Sequence, residues 1–576
     1  MADSEEEIVD RFRTVYSTLY NCADTKPGME DLKSRIKDMI TTEAIHDVNK
    51  VTSEVVKKVV LSMKARKSDI SGGYTSDALL NAPDIMFEQL ATIFRSWLVH
   101  GKVSHNILSC AFLPLLKSSL KDPAETGSYR AIAGSSLILK VFEKTILQLW
   151  GSLLASDSLQ FGYKAASSTT QASWLVHEVL NHYLREGSNP ICGLLDCSQA
   201  FDLAKWDKMF SLILERKLPP VVARAMIYSY QEQYAWCRWG NERSEIFTIV
   251  NGTRQGSMAS PFLWAVYCDP LLARLRALGV GCHMAGSWIG AQLYCDDLVL
   301  LAPCRRAMEL MLQEAELWAA EYNVTFSTDP NPQKSKSKLI YMCGSNTRLP
   351  KPADILLCGR ALPWVSSATH LGHEIHESGD MTYDGKVKRA QYIGKSVEVR
   401  DSFGFATPPE VLAAMDTYCT SYYGCLAGWD LGSDASKSYY AAQQVGVKLA
   451  WGVPRGTRTY LLQQCLAPGA TSARAEIMAR FTGFFTGLRN APSGEVRTVA
   501  LLCARDLRST TGRNIRLVEE ASGLSVWSST TQQVRRAIKQ KEAVAVPPED
   551  AWRVPFLQKL LEQRLQHHYS ADKENE

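Results

Sequence analysis

The sequence lacks a hydrophobic run long enough to span a bilayer. No apolar stretch of 18 or more occurs among its 576 residues, whereas a membrane-spanning helix needs about 20 such residues. The N-terminal residues are acidic and no apolar segment follows them, so a secretion signal is not expected. We therefore expect an intracellular protein, in the nucleus and the cytoplasm, that does not contact a membrane.

Paired cysteines and an excess of one charge are also missing. The fifteen cysteines are scattered, and none forms a Cys-x-x-Cys pair, so we expect reduced, mostly buried thiols rather than a zinc or disulfide framework. The net charge is only +4, which by itself does not indicate nucleic-acid binding. An acidic site and a basic groove in one protein would cancel in this sum, so the charge does not exclude nucleic acid either.

The sequence does contain enough apolar residues for several packed units. Apolar residues make up 46% and charged residues 22% of the chain, as in a globular protein. An apolar run at 191–195 stops at Asp196 and predicts a buried strand, and 293–301 predicts a hairpin with two adjacent acids at its tip. After residue 346 the pattern indicates helices that carry Arg and Lys.

The acids Asp196, Asp296 and Asp297 are the candidate catalytic residues. A single Asp at a strand end is more often a turn former than a ligand, but two adjacent acids between apolar strands would repel each other unless solvent or cations neutralise them. Carboxylates on rigid neighbouring strands suit two Mg²⁺ ions about 3.5–4 Å apart, which can activate a hydroxyl and neutralise a triphosphate. The pattern thus indicates metal-dependent phosphoryl transfer, with Mn²⁺ as an alternative ion.

Three segments around these acids carry a family resemblance. The segment 194–202 reads Leu-Leu-Asp-Cys-Ser-Gln-Ala-Phe-Asp, 251–261 reads Asn-Gly-Thr-Arg-Gln-Gly-Ser-Met-Ala-Ser-Pro, and 294–297 reads Tyr-Cys-Asp-Asp. They resemble, in this order, the palm motifs of reverse transcriptases, and the joint order is a stronger indication than the Tyr-x-Asp-Asp box alone. Further segments resemble the non-LTR (LINE-type) retrotransposon group, over roughly residues 52–500 in all: 127–132, 160–170, 370–373 and 451–455.

The resemblance implies an α/β (α+β) fold shaped as a right hand, with fingers, an antiparallel-sheet palm and a helical thumb. The expected parts are a helical N-terminal extension (1–70), fingers (71–185), a palm with the catalytic motifs (186–345), a connection and thumb (346–470) and a basic C-terminal region with a partly disordered tail (471–576). No endonuclease-like segment precedes the palm and no Cys/His knuckle follows it, so we expect the polymerase and thumb portion of a mobile element.

The activity that the resemblance implies is RNA-directed DNA polymerisation (reverse transcription) for a non-LTR retrotransposon. The enzyme would extend a primer 3′-hydroxyl with dNTPs by a two-metal mechanism, with Asp196, Asp296 and Asp297 as catalytic residues and ligands of two Mg²⁺ ions. The expected partners are an RNA template, a DNA primer or target, and dNTPs. The sequence does not identify protein partners.

Three residues of the palm motifs are implied in nucleotide binding. Phe201 lies five residues after Asp196, where a flat ring would clash with a 2′-hydroxyl and select deoxynucleotides; the alternative is a core Phe. Gln255 and Gly256 would hold the nucleotide, because Gly permits close backbone approach and Gln can bond to sugar or base. The alternative for this pair is a plain helix start after a tight turn. Arg254 beside them is interpreted as structural.

Three basic residues are candidates for phosphate binding. Arg130 and Lys140 would pair with the triphosphate, since Arg suits phosphate oxygens, and the alternative is a solvated surface pair. Lys336 would protonate the leaving pyrophosphate. The alternative, which the sequence supports nearly as well, is that Lys336 only belongs to an exposed basic loop. The spacing of His370 and His373 does not favour zinc, and their position resembles the segment that supports the primer end.

A second hypothesis is a catalytically silent or domesticated nucleic-acid-binding remnant of such an element. A protein that only binds has no need of all three acids, the Gln255–Gly256 pair and Phe201. All are present, which favours the enzyme. A telomerase-like protein is a further alternative, but the RNA-binding domain that it would need is not evident in the sequence.

Overall fold

The computed structural model describes residues 4–329, 331, 334–344, 352–420, 423–458, 473–542, 555, 557–563 and 566. Most of them are helical, and the strands form two five-stranded sheets and three two-stranded hairpins. In the tail for which partial disorder is expected, Thr531–Glu542 is a helix, and most of the remainder lies outside the described residues. None of the described helices combines the length and the apolar character needed to cross a bilayer.

The N-terminal helices pack on the first sheet. They are α1 (Glu5–Leu19), α2 (Lys26–Met39), α3 (Thr42–His46), α4 (Ser53–Leu61), α5 (Ser76–Leu80) and α6 (Asp84–His100). Ser4 caps α1 by accepting a hydrogen bond from the Glu7 amide at 3.2 Å, which satisfies one of the amides left free at a helix start. On the apolar face of α1, Phe12 stacks on Trp239 with ring centroids 5.5 Å apart. This helix is therefore part of the same core as the first sheet.

The first sheet begins with a hairpin in front of two long helices. The elements are β1 (Ser109–Leu116), β2 (Tyr129–Ser135), α7 (Leu137–Trp150) and α8 (Thr169–Arg185). β1 and β2 are antiparallel, with Leu115 opposite Arg130. Lys117 is therefore the first residue of the polar loop between the strands, and Arg130 is the second residue of β2, just after this loop.

The second sheet carries the candidate catalytic acids. The elements of this part are β3 (Ile191–Ser198), α9 (Ala200–Leu203), α10 (Trp206–Glu215), α11 (Pro220–Gln231), β4 (Tyr234–Trp239), β5 (Glu242–Arg243), β6 (Phe247–Thr248), α12 (Ser260–Ala277), β7 (His283–Met284), β8 (Ser287–Trp288), β9 (Ala291–Tyr294), β10 (Asp297–Ala302), α13 (Arg305–Glu321), β11 (Thr325–Phe326) and β12 (Lys338–Tyr341). β4 adds to the first sheet by parallel pairing with β1. The second sheet has the order β11-β3-β10-β9, with β12 also on β3, and every pair is antiparallel. The expected antiparallel palm sheet is confirmed.

The remaining part consists of two hairpins followed by helices. Its elements are β13 (Leu356–Leu357), β14 (Arg360–Ala361), β15 (Ser367–His370), β16 (His373–His376), α14 (Thr382–Ser402), α15 (Pro408–Tyr418), α16 (Tyr423–Ala427), α17 (Asp434–Ala450), α18 (Ala473–Arg489), α19 (Gly494–Arg505), α20 (Thr510–Ser522) and α21 (Thr531–Glu542). The helices agree with a helical thumb. The expectation of helices directly after residue 346 is wrong for the hairpins, because strands of two to four residues are too short to show a period.

A buried ion pair joins α7 to the loop that precedes α12. Arg254 donates to Glu143 Oε1 at 2.9 Å, and the two side chains are only 2% and 6% exposed. The other carboxylate oxygen accepts hydrogen bonds from Ser257 Oγ at 2.6 Å and the Met258 amide at 2.9 Å. The Arg254 guanidinium also lies 4.7 Å from the centre of the Tyr230 ring. This arrangement supports the structural interpretation of Arg254.

Replacing Arg254 with Met should destabilise the protein strongly. The change leaves the Glu143 carboxylate buried without its cation, and breaking a buried pair in this way costs about 3–5 kcal/mol. Thermal unfolding of the variant and the parent should show a clearly lowered midpoint. Arg516→Met is the control, because Arg516 pairs with Glu520 with both side chains at least 60% exposed and such pairs contribute little. Equal midpoints for Arg254→Met and the parent would contradict the assignment.

Candidate active site

The palm acids meet at one end of the second sheet. Asp196 on β3 lies directly opposite Asp297, the first residue of β10, so the two Cα atoms are about 4.5–5.5 Å apart and the side chains share one face. Asp296 occupies the turn between β9 and β10. β3 does not stop at Asp196 as expected but continues to Ser198, because β11 pairs with its last two residues.

The turn that presents Asp296 is held by an unusual set of contacts. Cys295 has a left-handed φ of 60°, which costs energy for a residue other than glycine. Its amide donates to Gln160 Oε1 at 3.1 Å, and its carbonyl accepts from Trp264 Nε1 at 3.1 Å. A Cβ on Gly162 would lie 2.5 Å from the Cys295 nitrogen, so only glycine permits this approach. The segment 160–162 thus clamps the turn.

The pKa values of Asp296 and Asp297 are raised by burial and by the neighbouring acids. Loss of hydration, followed by repulsion from Asp296 and Asp196, raises the pKa of Asp297 to about 6 although its side chain is at the surface. The pKa of Asp296 is raised as well, by burial and by Asp196. Lys336 Nζ lies 3.1 Å from Asp196 Oδ2 in a pair whose side chains are 65% and 30% exposed. The site therefore already places a cation beside its carboxylates.

The chemistry of this acid set fits a divalent metal ion. Carboxylate oxygens are the ligands that Mg²⁺ prefers, and the mutual repulsion of the acids would be relieved by bound cations. Within the described part of the chain, no three His, Cys, Asp or Glu side chains converge on a point that could hold an ion. The acids are therefore ligands of the right type on neighbouring strands, but their carboxylates do not converge in this conformation, in which Lys336 pairs with Asp196.

One aromatic residue, Trp264, connects Phe201 to the acid turn. The half-buried ring of Phe201 is tilted against Trp264 with centroids 5.1 Å apart, and Trp264 is the residue that donates to the Cys295 carbonyl. The Phe201 carbonyl accepts the Thr253 amide at 2.6 Å. Phe201 is thus neither a fully buried core residue nor a free surface residue, and its gate role stays a prediction.

Gln255 and Gly256 lie against the fingers strand β2. The Gln255 carbonyl accepts the Ala133 amide at 2.7 Å. Gly256 has a φ of 126°, and a Cβ at that position would lie 2.6 Å from the Ala133 oxygen, so glycine is required here. The Gln255 side chain donates from Nε2 to Asp202 Oδ1 at 2.9 Å. This connection to Asp202 was not expected from the sequence.

The hairpin β15–β16 closes one side of the acid cleft. The cleft is lined by Asp196, Asp297, Lys336 and residues 368–371. His370 and His373 are buried, and no hydrogen-bond partner among the described residues is found for their ring nitrogens. Burial lowers the pKa of His370 to about 4, so the ring is neutral, and the hairpin contributes shape rather than charge.

Comparison with known proteins identifies the part of the chain that contains this site. The family described as reverse transcriptase (RNA-dependent DNA polymerase) matches residues 117–375, which include both β3 and β10. The segment that carries the acids is thus similar to a reverse transcriptase domain. The 115 kDa protein of the type-1 retrotransposable element R1DM of Drosophila melanogaster is 25% identical to it, over 56% of this chain and 30% of that protein.

Two further relatives of the reverse transcriptase domain are retrovirus-related Pol polyproteins. That of the type-1 element R2 of Nasonia vitripennis is 23% identical over 40% of this chain and 22% of its own length. That of the type-2 element R2DM of Drosophila melanogaster is 21% identical over 47% and 25%. The chain spans less than a third of the length of the curated relatives it matches.

Among solved structures, telomerase from Candida albicans in complex with a TWJ fragment of telomeric RNA aligns with 81% of this chain and 69% of that chain. The TM-score is 0.36 and the sequence identity 10%. A likeness at this level is too weak to bear on the function of the reverse transcriptase domain.

The cations of the reverse transcriptase domain are not all placed as expected. The pKa of Asp296 is raised overall, and the positive charges of Arg130 and Lys336 partly offset this rise. These two cations therefore lie close enough to act on the acids. Lys140 instead lies on α7, where burial lowers its pKa and Glu143 and Asp69 are the nearest opposing charges. A triphosphate contact by Lys140 has no support from this placement.

Lys117 is the basic residue that sequence reasoning missed. Burial, followed by the charges of Lys336 and Arg130, lowers its pKa, and its Nζ donates to the Gly127 carbonyl at 2.8 Å. It follows directly after β1, across the hairpin from Arg130. The sequence pattern that could have indicated Lys117 is its position at the end of an apolar strand, across the hairpin from Arg130, an expected phosphate ligand.

Replacing Lys336 with Met should raise the pKa of Asp297 further. Lys336 is the positive charge that opposes its upward shift, and removing it favours the protonated carboxyl. The pKa can be followed by NMR titration with ¹³C-labelled aspartate. Lys334→Met is the matched control, since Lys334 is exposed on the same loop and does not act on the acids. An unchanged or lowered Asp297 pKa in Lys336→Met would show that Lys336 does not face the acids in solution.

Proposed function

We propose that this chain is an RNA-directed DNA polymerase of a non-LTR retrotransposon, which extends a primer 3′-hydroxyl with dNTPs. The observation that carries the proposal is the register that sets Asp196 opposite Asp297, with Asp296 in the adjoining turn, inside a reverse transcriptase domain. Three neighbouring carboxylates are what a site for cationic cofactors and a triphosphate needs.

Asp196, Asp296 and Asp297 would hold two Mg²⁺ ions, with Mn²⁺ as an alternative. When bound, the ions neutralise the triphosphate and favour ionisation of the primer hydroxyl. The residues themselves contribute rigid position, because five buried residues follow Asp297 in β10 and Asp196 lies within β3, which pairs with β10, β11 and β12. Because the pKa of Asp297 is raised to about 6, protons would compete with a metal ion for this carboxylate as the pH falls towards that value.

The basic residues around the cleft would bind the triphosphate. The charges of Arg130 and Lys336 act on Asp296, and Lys117 is influenced by both of these cations. Cations in this region would neutralise phosphate charge as it is redistributed. Lys336 is paired with Asp196, so binding of metal and nucleotide would release it. Its proposed role as the proton donor to pyrophosphate is supported by its position beside Asp196.

The proposed partners are an RNA template and a DNA primer or target. The relatives are retrotransposon proteins by name, and copying an element's RNA at a chromosomal site would need the protein in both nucleus and cytoplasm. The rival proposal is a silent remnant that only binds nucleic acid. The clamped acid turn favours the enzyme, since binding alone gives no reason to hold Cys295 in a strained conformation.

Asp296→Asn should remove polymerisation and keep nucleic-acid binding. The change keeps size but removes one negative charge, so the metal ions lose a charged ligand, and activity should fall by orders of magnitude. Binding should stay equal or tighten, because Asp296 repels phosphates. Extension of a primer on poly(rA) with dTTP and Mg²⁺, and binding of the same primer–template, are measured on one preparation.

The two proposals give different outcomes in this experiment. An enzyme loses extension and keeps binding, whereas a remnant shows no extension in the parent either. If binding collapses together with activity in Asp296→Asn, that substitution has damaged the fold. In that case Asp196→Asn, the matched second variant, is used to decide between the two proposals.

Phe201→Ala should admit ribonucleotides. Removing the ring removes the clash with a 2′-hydroxyl, while the backbone bonds of Phe201 to Thr253 remain. The measurement is the ratio of kcat/KM for dTTP and UTP on the poly(rA) template. A ratio equal to that of the parent in Phe201→Ala would mean that Phe201 only packs.

A further inference from the structure

The carboxylate of Asp202 joins three segments that are far apart in the chain. Its Oδ1 accepts hydrogen bonds from the Tyr20 hydroxyl and from Gln255 Nε2, the latter at 2.9 Å. Asp202 is only 6% exposed and directly follows Phe201. A carboxylate is buried at high cost unless it is hydrogen-bonded, so these two donors hold it in place.

The bond to Asp202 determines which way the Gln255 amide faces. Burial raises the pKa of Asp202 to about 6, so above that pH the group is ionised and can only accept hydrogen bonds. The NH₂ end of the amide must then face Asp202, and the carbonyl Oε1 must face away. No donor among the described residues bonds this oxygen, and Gln255 is only half-buried, so Oε1 is available to a ligand.

The same cluster borders the basic residues that face the acids. The charge of Lys117 partly offsets the burial that raises the pKa of Asp202. Lys117 in turn is influenced by Arg130 and Lys336. Gln255 therefore lies at the edge of the region where the triphosphate and its sugar would bind.

Tyr20 reaches this cluster from the end of α1. Its ring stacks on Phe112 with centroids 4.7 Å apart, and its carbonyl accepts the Val250 amide at 2.9 Å. Asn251 then donates from Nδ2 to the Asp202 carbonyl at 2.8 Å. The end of α1 is thus fixed to the palm loop by backbone and side chain together, which leaves the Tyr20 hydroxyl little freedom.

We propose that Tyr20 and Asp202 are positioning residues that aim Gln255 Oε1 at the sugar of the incoming deoxynucleotide, so that the N-terminal helix contributes to substrate binding. The inference rests on the proposed polymerase function. Without the acceptor on Asp202, the Gln255 amide occupies several rotamers and must be ordered whenever a nucleotide binds. The loss falls on KM for dNTP rather than on kcat, because the palm acids are untouched.

The test is a double-mutant cycle on the full chain with poly(rA), an oligo(dT) primer and dTTP. Asp202→Ala should raise KM for dTTP roughly tenfold, as expected for a lost hydrogen bond to a charged group. In a Gln255→Ala background the same change should alter KM by less than about twofold, because a residue that acts through Gln255 has nothing left to position.

Three further variants separate positioning from packing. Tyr20→Phe keeps the ring and should raise KM about threefold by loosening Asp202. Asp202→Asn keeps an oxygen acceptor and should restore KM to within about threefold of the parent. Tyr16→Phe is the matched control, because the buried Tyr16 hydroxyl on the same helix has no hydrogen-bond partner among the described residues, and it should leave KM unchanged.

The outcomes distinguish this inference from the proposed function. If the parent extends primers but the effect of Asp202→Ala is as large without Gln255 as with it, the positioning role is wrong and the polymerase remains. If the parent does not extend primers, both fail. If Asp202→Ala unfolds at a lower temperature than the parent, Tyr20→Phe takes its place in the double-mutant cycle. The positioning role is then wrong if the effect of Tyr20→Phe on KM is as large without Gln255 as with it.

Discussion

The register between β3 and β10 keeps Asp196 and Asp297 side by side, and the rest of the site depends on holding these like charges together. Such a pair opposes its own formation, and the raised pKa of Asp297 reflects this together with lost hydration. The sheet can impose the arrangement because the five residues that follow Asp297 in β10 are all buried. The apolar body of the sheet therefore stabilises the acids, which occupy the end that cations and substrate can reach.

The loop before α12 is fixed relative to the acids by contacts of different kinds. An ion pair attaches it to α7 through Glu143 and Arg254, a backbone bond attaches Gln255 to β2, and the Asp202 carboxylate attaches the same glutamine to α1. None of these contacts involves a reacting group. Their common effect is preorganisation, because a nucleotide that meets a fixed loop has less entropy to lose before reaction.

The strand positions of the acids could be predicted from the sequence, whereas their surroundings could not. Asp196 follows an apolar run and Asp297 precedes one, in an order that resembles a known family. The triphosphate contact of Lys140 stays a prediction, because a motif position does not reveal which side of a helix faces the cleft. The bond between Tyr20 and Asp202 joins residues 182 positions apart, and no local pattern in one sequence encodes such a contact. The short hairpins around Gly359 and Gly372 gave no period to detect.

The tight approaches at Gly162 and Gly256 have a consequence for the evolution of such elements. Each glycine faces backbone atoms of another segment at a distance that no Cβ can occupy. A substitution at Gly162 must therefore displace the Tyr-Cys-Asp-Asp turn, and one at Gly256 must displace the loop before α12 from β2. Copies of a mobile element that are no longer under selection change at random, and most single-nucleotide changes in a glycine codon introduce a side chain. An intact pair of glycines among related copies would therefore mark the lineages in which selection still maintains the site.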